Sequence, residues 1–316
     1  GVGNLGTYSY ASTSRAAAEV LKMDWENCDV VTGRTDRHLP ITSPQDGSNS
    51  IFTNTRTCFG AAQDLLAKMK EIAAMDLGGE TADYEIDGSR IYQIADSSAG
   101  MTYAEVAQRG IELGGKFSGE SDLPEELNTL TTLSVSRLAG SALMGIYHDP
   151  RHSNNPPGFT VTFTEIELDK ETGKFEILDM VTIAECGTVV HPQGLANQLV
   201  GGAVWGIGLS ALERHLYDPQ NGLPASAGFW QSKIPTYLDT PAKIGTGWVD
   251  LPDPENPVGA RGIGEPSMGA VSAALNAAIS DALSGHMFDA APVTTDMIVN
   301  HIAGISEDAT PLAQNN

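Results

Sequence analysis

Three features of the sequence predict a mixed α+β protein built in two lobes. Helical and strand periods alternate along the chain instead of segregating into separate runs. A long two-strand alternation, FTVTFTEIELD and then KFEILDMVTIAEC, begins at Phe159. The length of 316 residues is enough for more than one core. The lobes are placed at 1–150 and 151–316, with the acidic region over about 76–150 the most variable part of the first.

Composition narrows the classes of partner. Eighteen basic residues stand against 40 acidic ones, a formal charge of -22, which disfavours nucleic acid and anionic membrane surfaces. Hydrophobic residues make up 41% and charged residues 18%, an ordinary globular balance. No apolar run approaches the roughly 20 residues of a membrane span. Cys28, Cys58 and Cys186 are widely spaced and form no CxxC pair. A disulfide framework is therefore not expected, and this chain alone is short of ligands for an iron–sulfur cluster. The chain opens on GVGNLG with neither Met nor a signal-like segment, so it is expected to begin mid-protein, as a processed chain or the ordered part of a longer one; a cytoplasmic location is the working expectation.

In chain order, residues 1–9, GVGNLGTYS, are glycine-rich and lead into a helix over about 10–22. A lone GxGxxG with no strand before it does not make a dinucleotide fold. CDVVTG at 28–33 reads as a short buried strand. RTDRHLPITSPQDGSNS then forms a polar loop, and Arg34, Arg37 and His38 are the most basic patch of the chain. A helix over 57–75 follows, with Ala61, Leu65, Leu66, Met69 and Ile72 on one face. Such a loop entering a helix suits a phosphate or a polar heterocycle, and equally a solvated surface.

Residues 83–94 read as a hairpin turning on Asp87-Gly88, the pair favoured for two-residue turns. Thr102 and Glu105 form the capping box of the next helix. Residues 118–128 are acidic and loop-like. The two long strands are joined by a turn at 170–173, and His191-Pro192 opens a glycine-rich helix over about 192–216. Residues 222–257 are proline-rich with little period, and IPTYLDTP (234–241) reads as an extended wall. A short helix over 295–302 closes the chain.

The chemistry-bearing stretch is VGARGIGEPSMGAVSAALNAAISDALS. Gly259, Gly262 and Gly264 allow a sharp turn and close backbone approach. Glu265 follows, and Pro266 suits the first position of a helix. A carboxylate on a rigid turn where loop becomes helix is suited to be a general base; the plainer reading is an acidic cap.

The order GTYS, TSPQDGSNS, FTEIELDKETGKFEI, AECGTVVHPQGLANQLVGGAVWGIGLSALE, IPTYLDTP, GARGIGEP resembles one family. It looks like the second, C-terminal half of the molybdopterin-binding subunit of the xanthine dehydrogenase and aldehyde oxidase family of molybdenum hydroxylases. That resemblance implies a molybdenum centre held by molybdopterin or its cytosine dinucleotide form. It makes Glu265 the base that takes a proton as water-derived oxygen reaches an electrophilic carbon of an aldehyde or N-heteroaromatic substrate. Electrons would leave through [2Fe–2S] clusters, usually to FAD, on partner chains.

The same resemblance assigns Thr42, Gln45, Asp46, Gly47 and Ser48, in the loop 42–48, to the pterin and its phosphate tail. It assigns Gly3 and Asn4 to the cofactor near the metal, and Gly264 to the catalytic turn. Gln198 falls on a family glutamine at the start of the glycine-rich helix, a cofactor-binding candidate for which a structural role is equally open. No residue of the chain is a metal ligand. Two departures stand out. Val2 replaces a family glutamine, and Trp205 replaces another near the metal, where it either lines the substrate pocket or packs in the core. The first half of the usual subunit is missing, so a chain carrying it, an iron–sulfur subunit and an FAD subunit are the expected partners. A non-catalytic structural partner of the same fold is the alternative.

Overall fold

The structure is a computed structural model that describes residues 1–42, 44–148 and 158–305. Ser43, within the predicted cofactor loop, and the predicted lobe boundary at 150 and 151 lie outside the described residues. By its internal contacts the chain forms two units, and they interleave in sequence. One holds Gly1–Pro157, Gly187–His191 and Leu251–Gly262; the other holds Gly158–Cys186, Pro192–Asp250 and Ile263–Asn316.

In the first unit, α1 (Ser9–Val20) lies against the long α2 (Ser50–Leu77). A three-stranded antiparallel sheet follows, β1 (Tyr84–Ile86), β2 (Arg90–Gln93) and β3 (Gly100–Thr102). Then come α3 (Tyr103–Leu113) and α4 (Thr129–Leu138). Met69, Ile72 and Ala73 of α2 bury themselves with Tyr84, Ile86, Ile91, Val106 and Phe117. Removing such side chains from water is the main source of stability here.

Helix α2 starts at Ser50, seven residues before its predicted start at Thr57. The polar first turns were unreadable as helix because Ser, Thr and Asn compete with backbone bonding. Here Thr53 Oγ1 and Asn54 Nδ2 donate back to the Asn49 and Ser50 carbonyls at 3.1 and 3.0 Å, so the helix absorbs them. The strand expected over 28–33 is absent. A 3-10 turn at Trp25–Asn27 precedes it, no strand among the described residues pairs with it, and Val31 is 45% exposed. Three residues, Asp87, Gly88 and Ser89, separate the strands, and the Asp87 amide donates to the Arg90 carbonyl at 3.2 Å. Ile86 pairs with Ile91, and Asp87 Oδ1 accepts from the Ser89 and Arg90 amides.

The capping box of α3 forms as expected: Thr102 accepts from the Glu105 amide at 3.2 Å and Glu105 accepts from the Thr102 amide at 2.7 Å. Beside it, Tyr103 donates its hydroxyl to the Leu21 carbonyl at 2.7 Å. Burial pushes that phenol up to about 12. A raised folded value means that burial of the neutral phenol contributes fully below the ordinary tyrosine range near 10 and that this contribution is lost as pH climbs toward 12. Tyr103→Phe should cost about 1 kcal/mol in urea unfolding at neutral pH and flatten the loss of stability above pH ~10. An unchanged midpoint and slope would remove this bond from the account.

In the second unit, β4 (Phe159–Leu168) and β5 (Phe175–Glu185) form the predicted hairpin, with Asp169 and Lys174 closing the turn. The glycine-rich α5 (Pro192–Ala211) stops short of Leu216, because the Leu212 and Glu213 amides both turn back to the Gly208 carbonyl. β6 (Ile244–Val249) pairs parallel with β5, inside a stretch that reads as structureless in sequence. Two glycines in IGTGWV hide the strand period, and a parallel partner is by nature remote in sequence. α6 (Pro266–Ala282) and α7 (Thr295–Ile302) complete the unit. Val271, Leu275 and Ile279 of α6 meet Ala203 and Ile207 of α5, Ile177 and Met180 of β5, and Ile298 of α7 in one core. Among the described residues no helix is long and apolar enough to cross a membrane.

Candidate functional site

The first unit gathers four loops that lie far apart in sequence, and Asn256 is their fastener. Its side chain is 5% exposed and all its bonds are local to the unit. Nδ2 donates to the Phe52 carbonyl and Thr55 Oγ1 at 2.9 and 3.1 Å, while Oδ1 accepts from the Val258 and Ala260 amides at 3.0 and 3.3 Å. The GARG turn is thereby tied to α2. The Gly259 carbonyl accepts from the Thr188 and Asp253 amides at 2.7 and 2.8 Å, and Gly187 bridges to Ala260. Asp253 also pairs with Arg261. Tyr8 stacks on His191 with ring centroids 5.0 Å apart.

Gly262 ends this arrangement. A Cβ built there would overlap the Ser48 carbonyl oxygen and lie 3.1 Å from Ser48 Cβ. Only glycine lets the two backbones run this close. Ser48 and Gly47 before it are both left-handed, at φ 55 and 54, so the loop doubles back sharply before α2. The Asn49 amide closes it on the Asp46 carbonyl at 3.2 Å.

Several predicted residues of this unit meet. Gln45 Nε2 donates to Thr7 Oγ1 at 3.1 Å and to Ser9 Oγ, and its Oε1 lies 3.0 Å from where a Cβ on Gly3 would stand. Asn4 holds the opening turn, with Oδ1 accepting from the Thr7 and Tyr8 amides at 3.0 and 3.1 Å. Thr42 is half-buried; Asp46 is exposed. Arg34 binds Asp36 through two guanidinium nitrogens, at 2.8 and 2.6 Å. That pairing raises the arginine and lowers the carboxyl from their ordinary values. The basic patch read from the sequence is therefore partly neutralised within itself.

Two buried amide oxygens of this unit are left over among the described residues. Gln45 Oε1 and Asn49 Oδ1 have no hydrogen-bond partner, an expensive condition for a buried acceptor. Both belong to the loop that Gly262 abuts, and both are suited to accept from the N–H groups of a flat heterocycle. The chemistry of a pterin, rich in ring and amino N–H donors, fits that pair. Asn49 escaped the sequence reading as one polar residue among many in a loop before a helix expected only from Thr57, although it occupies the N-cap position of α2. Yet its side chain caps nothing in α2.

In the second unit, Gln198 is half-buried on α5, and Trp205 stands two turns on at 54% exposure. Trp205 is thus not packed in the core. It shares the helix face of Asn197, Gly201 and Leu209, all exposed. Glu265 occupies the N-cap of α6, with Pro266 at the first helical position as the sequence indicates. The carboxylate makes no cap hydrogen bond to the helix amides, and the residue is exposed. The Glu265 carbonyl instead receives the Met268 amide at 3.0 Å. Gly264 is half-buried beneath it.

The sequence model of the molybdopterin cofactor-binding domain matches residues 1–241. The gamma subunit of the 6-hydroxypseudooxynicotine dehydrogenase complex of Paenarthrobacter nicotinovorans is 34% identical over 93% of this chain and 34% of its own length. The solved structure of Cu,Mo-CO dehydrogenase superposes with TM-score 0.74 at 25% identity, over 96% of this chain and 36% of that one. Quinoline 2-oxidoreductase from Pseudomonas putida 86 gives 0.73 at 22% identity, over 96% and 36%. The chain therefore spans about a third of the length of these relatives.

Proposed function

This chain belongs to the molybdopterin cofactor-binding domain family, and from that premise we propose that it is part of the catalytic molybdenum subunit of a hydroxylase or dehydrogenase. The observation that carries the reading is the pair of buried, unpartnered amide oxygens of Gln45 and Asn49 on the loop that Gly262 abuts. These two would hold the pterin edge, with the backbone of Gly47 and Ser48 lining it and Asp46 and Thr42 at its margin. Gly3 and Asn4 would shape the neighbouring turn. When bound, the molybdenum–pterin group supplies electrophilic activation and takes up electrons. A nucleotide-extended form of the pterin would place its phosphates along the 42–48 loop.

Glu265 is assigned the proton. As water-derived oxygen joins an electrophilic substrate carbon, a proton must leave that oxygen, and an ionised carboxylate held on a rigid turn is suited to receive it. The substrate is proposed to be an aldehyde or an N-heteroaromatic ring. The names of 6-hydroxypseudooxynicotine dehydrogenase and quinoline 2-oxidoreductase support ring compounds of that kind. Trp205, with its exposed indole, would offer a flat surface to such a ring.

Partners follow from what the chain carries. The chain has three cysteines, Cys28, Cys58 and Cys186, whereas two [2Fe–2S] clusters need about eight sulfur ligands by the four-cysteine rule. We assign the clusters, and FAD as a further acceptor, to partner polypeptide, as the family resemblance implies, alongside polypeptide equivalent to the part of the relatives that this chain does not span. Phe229, Trp230, Tyr237 and Leu238 support such a cover, being 83, 94, 91 and 93% exposed. Elemental and pterin analysis of the purified complex tests the reading. One molybdenum and one pterin per chain are expected; a complex that assembles with neither would make this chain a structural partner only.

A further inference from the structure

In the second unit, the turn that carries Glu265 is seated on a glycine of the neighbouring helix. A Cβ built on Gly202 of α5 would fall on the Ser267 hydroxyl oxygen, 3.0 Å from Ser267 Cβ and 3.5 Å from the Gly264 carbonyl oxygen. Those atoms bracket Glu265 in the chain. Ser267 is fully buried, and its hydroxyl has no hydrogen-bond partner. A buried hydroxyl without a partner is costly, so the contact is not explained as a polar bond. It is explained as a close fit of the α6 first turn onto bare helix backbone.

Contacts further along repeat the fit. A Cβ on Gly206, one turn later, would lie 2.6 Å from Val271 Cβ and 2.8 Å from the Met268 carbonyl oxygen. One turn beyond that, Ser210 Oγ bonds Ser272 Oγ at 2.8 Å. On another side of the same turn, Thr160 of β4 donates its hydroxyl to the Pro266 carbonyl at 2.9 Å. The apolar core of Val271, Leu275 and Ile279 holds the helix body. Its first turn, with no cap bond from Glu265, is held by Gly202 and Thr160.

We propose that Gly202 and Thr160 are positioning residues for Glu265: Gly202 sets how deeply the 264–267 turn sits, and Thr160 fixes the peptide that follows the carboxylate. This rests on the reading of Glu265 as the base. A proton transfer depends steeply on placement, and a displacement of about 1 Å can cost a hundredfold. Gly202 and Thr160 both contact the turn itself, so each acts through it.

The test uses the assembled, molybdenum-loaded complex. Gly202→Ala is expected to lower kcat by about 10- to 100-fold while KM stays within twofold and molybdenum content is unchanged. Adding Ser267→Ala removes the hydroxyl on which the new methyl falls, and should recover at least fivefold of the loss. Thr160→Val, which keeps the shape and deletes the donor, should lower kcat about threefold or more at unchanged KM. Wild-type kcat in both single variants, or no recovery in the double variant, overturns the proposal. So does a kcat loss that merely follows lost molybdenum.

If Gly202→Ala does not assemble, the Thr160→Val result decides. A crystal structure of a variant complex supplies a readout separate from turnover: residues 264–267 should be displaced relative to the body of α6, and an undisplaced turn refutes the seat. Glu265→Gln distinguishes the two failures. If it stays active, the base reading falls while the displacement still tests the seat. If it is inactive while Gly202→Ala and Thr160→Val match wild type, only the positioning falls.

Discussion

Glu265→Gln should leave the complex assembled and loaded with molybdenum while lowering kcat by about a hundredfold or more. The substitution keeps the size of the side chain and removes its basicity. The α6 cap does not depend on the charge, because the carboxylate makes no cap bond there. The loss should fall on kcat, since the group is asked to act on a proton rather than to bind ground-state substrate. Turnover with an artificial electron acceptor, alongside metal analysis, measures both. Activity within a few-fold of wild type would take the general-base role away from Glu265.

Gly262→Ala should have the opposite profile, with cofactor lost before chemistry is reached. The new methyl would overlap the Ser48 carbonyl oxygen, a backbone atom that cannot swing aside as a flexible side chain would. Either the 46–49 loop or the turn fastened by Asn256 must move. Overpacking of this sort costs about 1–3 kcal/mol. The same shift would displace Gln45 and Asn49, the two buried acceptors assigned to the pterin. Pterin content, measured by fluorescence after oxidative release, should fall at least fivefold, and a denaturant midpoint should fall with it. A Gly262→Ala complex with full pterin content would show that this loop does not hold the cofactor. Read together, the two variants separate binding from chemistry.

Much of this was legible from residues close in sequence. The β4–β5 hairpin announced itself through alternation and a short turn, because both strands satisfy each other's backbone groups locally. Thr102 and Glu105 announced the start of α3, and Pro266 fixed Glu265 as the residue before a helix. Other elements were hidden. Residues 28–33 carry strand-like side chains, yet no neighbouring strand is there to pair with them. β6 has two glycines and almost no alternation, yet pairs with β5 from about sixty residues away. Asn256 looked like one polar residue in a proline-rich stretch, and it fastens the GARG turn to α2.

The sequence by itself determined the α+β class, the long hairpin, the family resemblance and the place of Glu265 at the loop-to-helix junction. Each depends on order and on contacts a few residues apart, which the chain carries wherever it folds. The tertiary structure alone decided that Gly262 must be glycine because Ser48 runs against it, that Gly202 seats the turn of Glu265, and that Gln45 and Asn49 keep buried oxygens without partners. Trp205 was settled the same way, as an exposed face of α5 rather than core. These are matters of steric exclusion and desolvation between segments separated by dozens to hundreds of residues. Such effects exist only once the backbones have been brought within van der Waals reach.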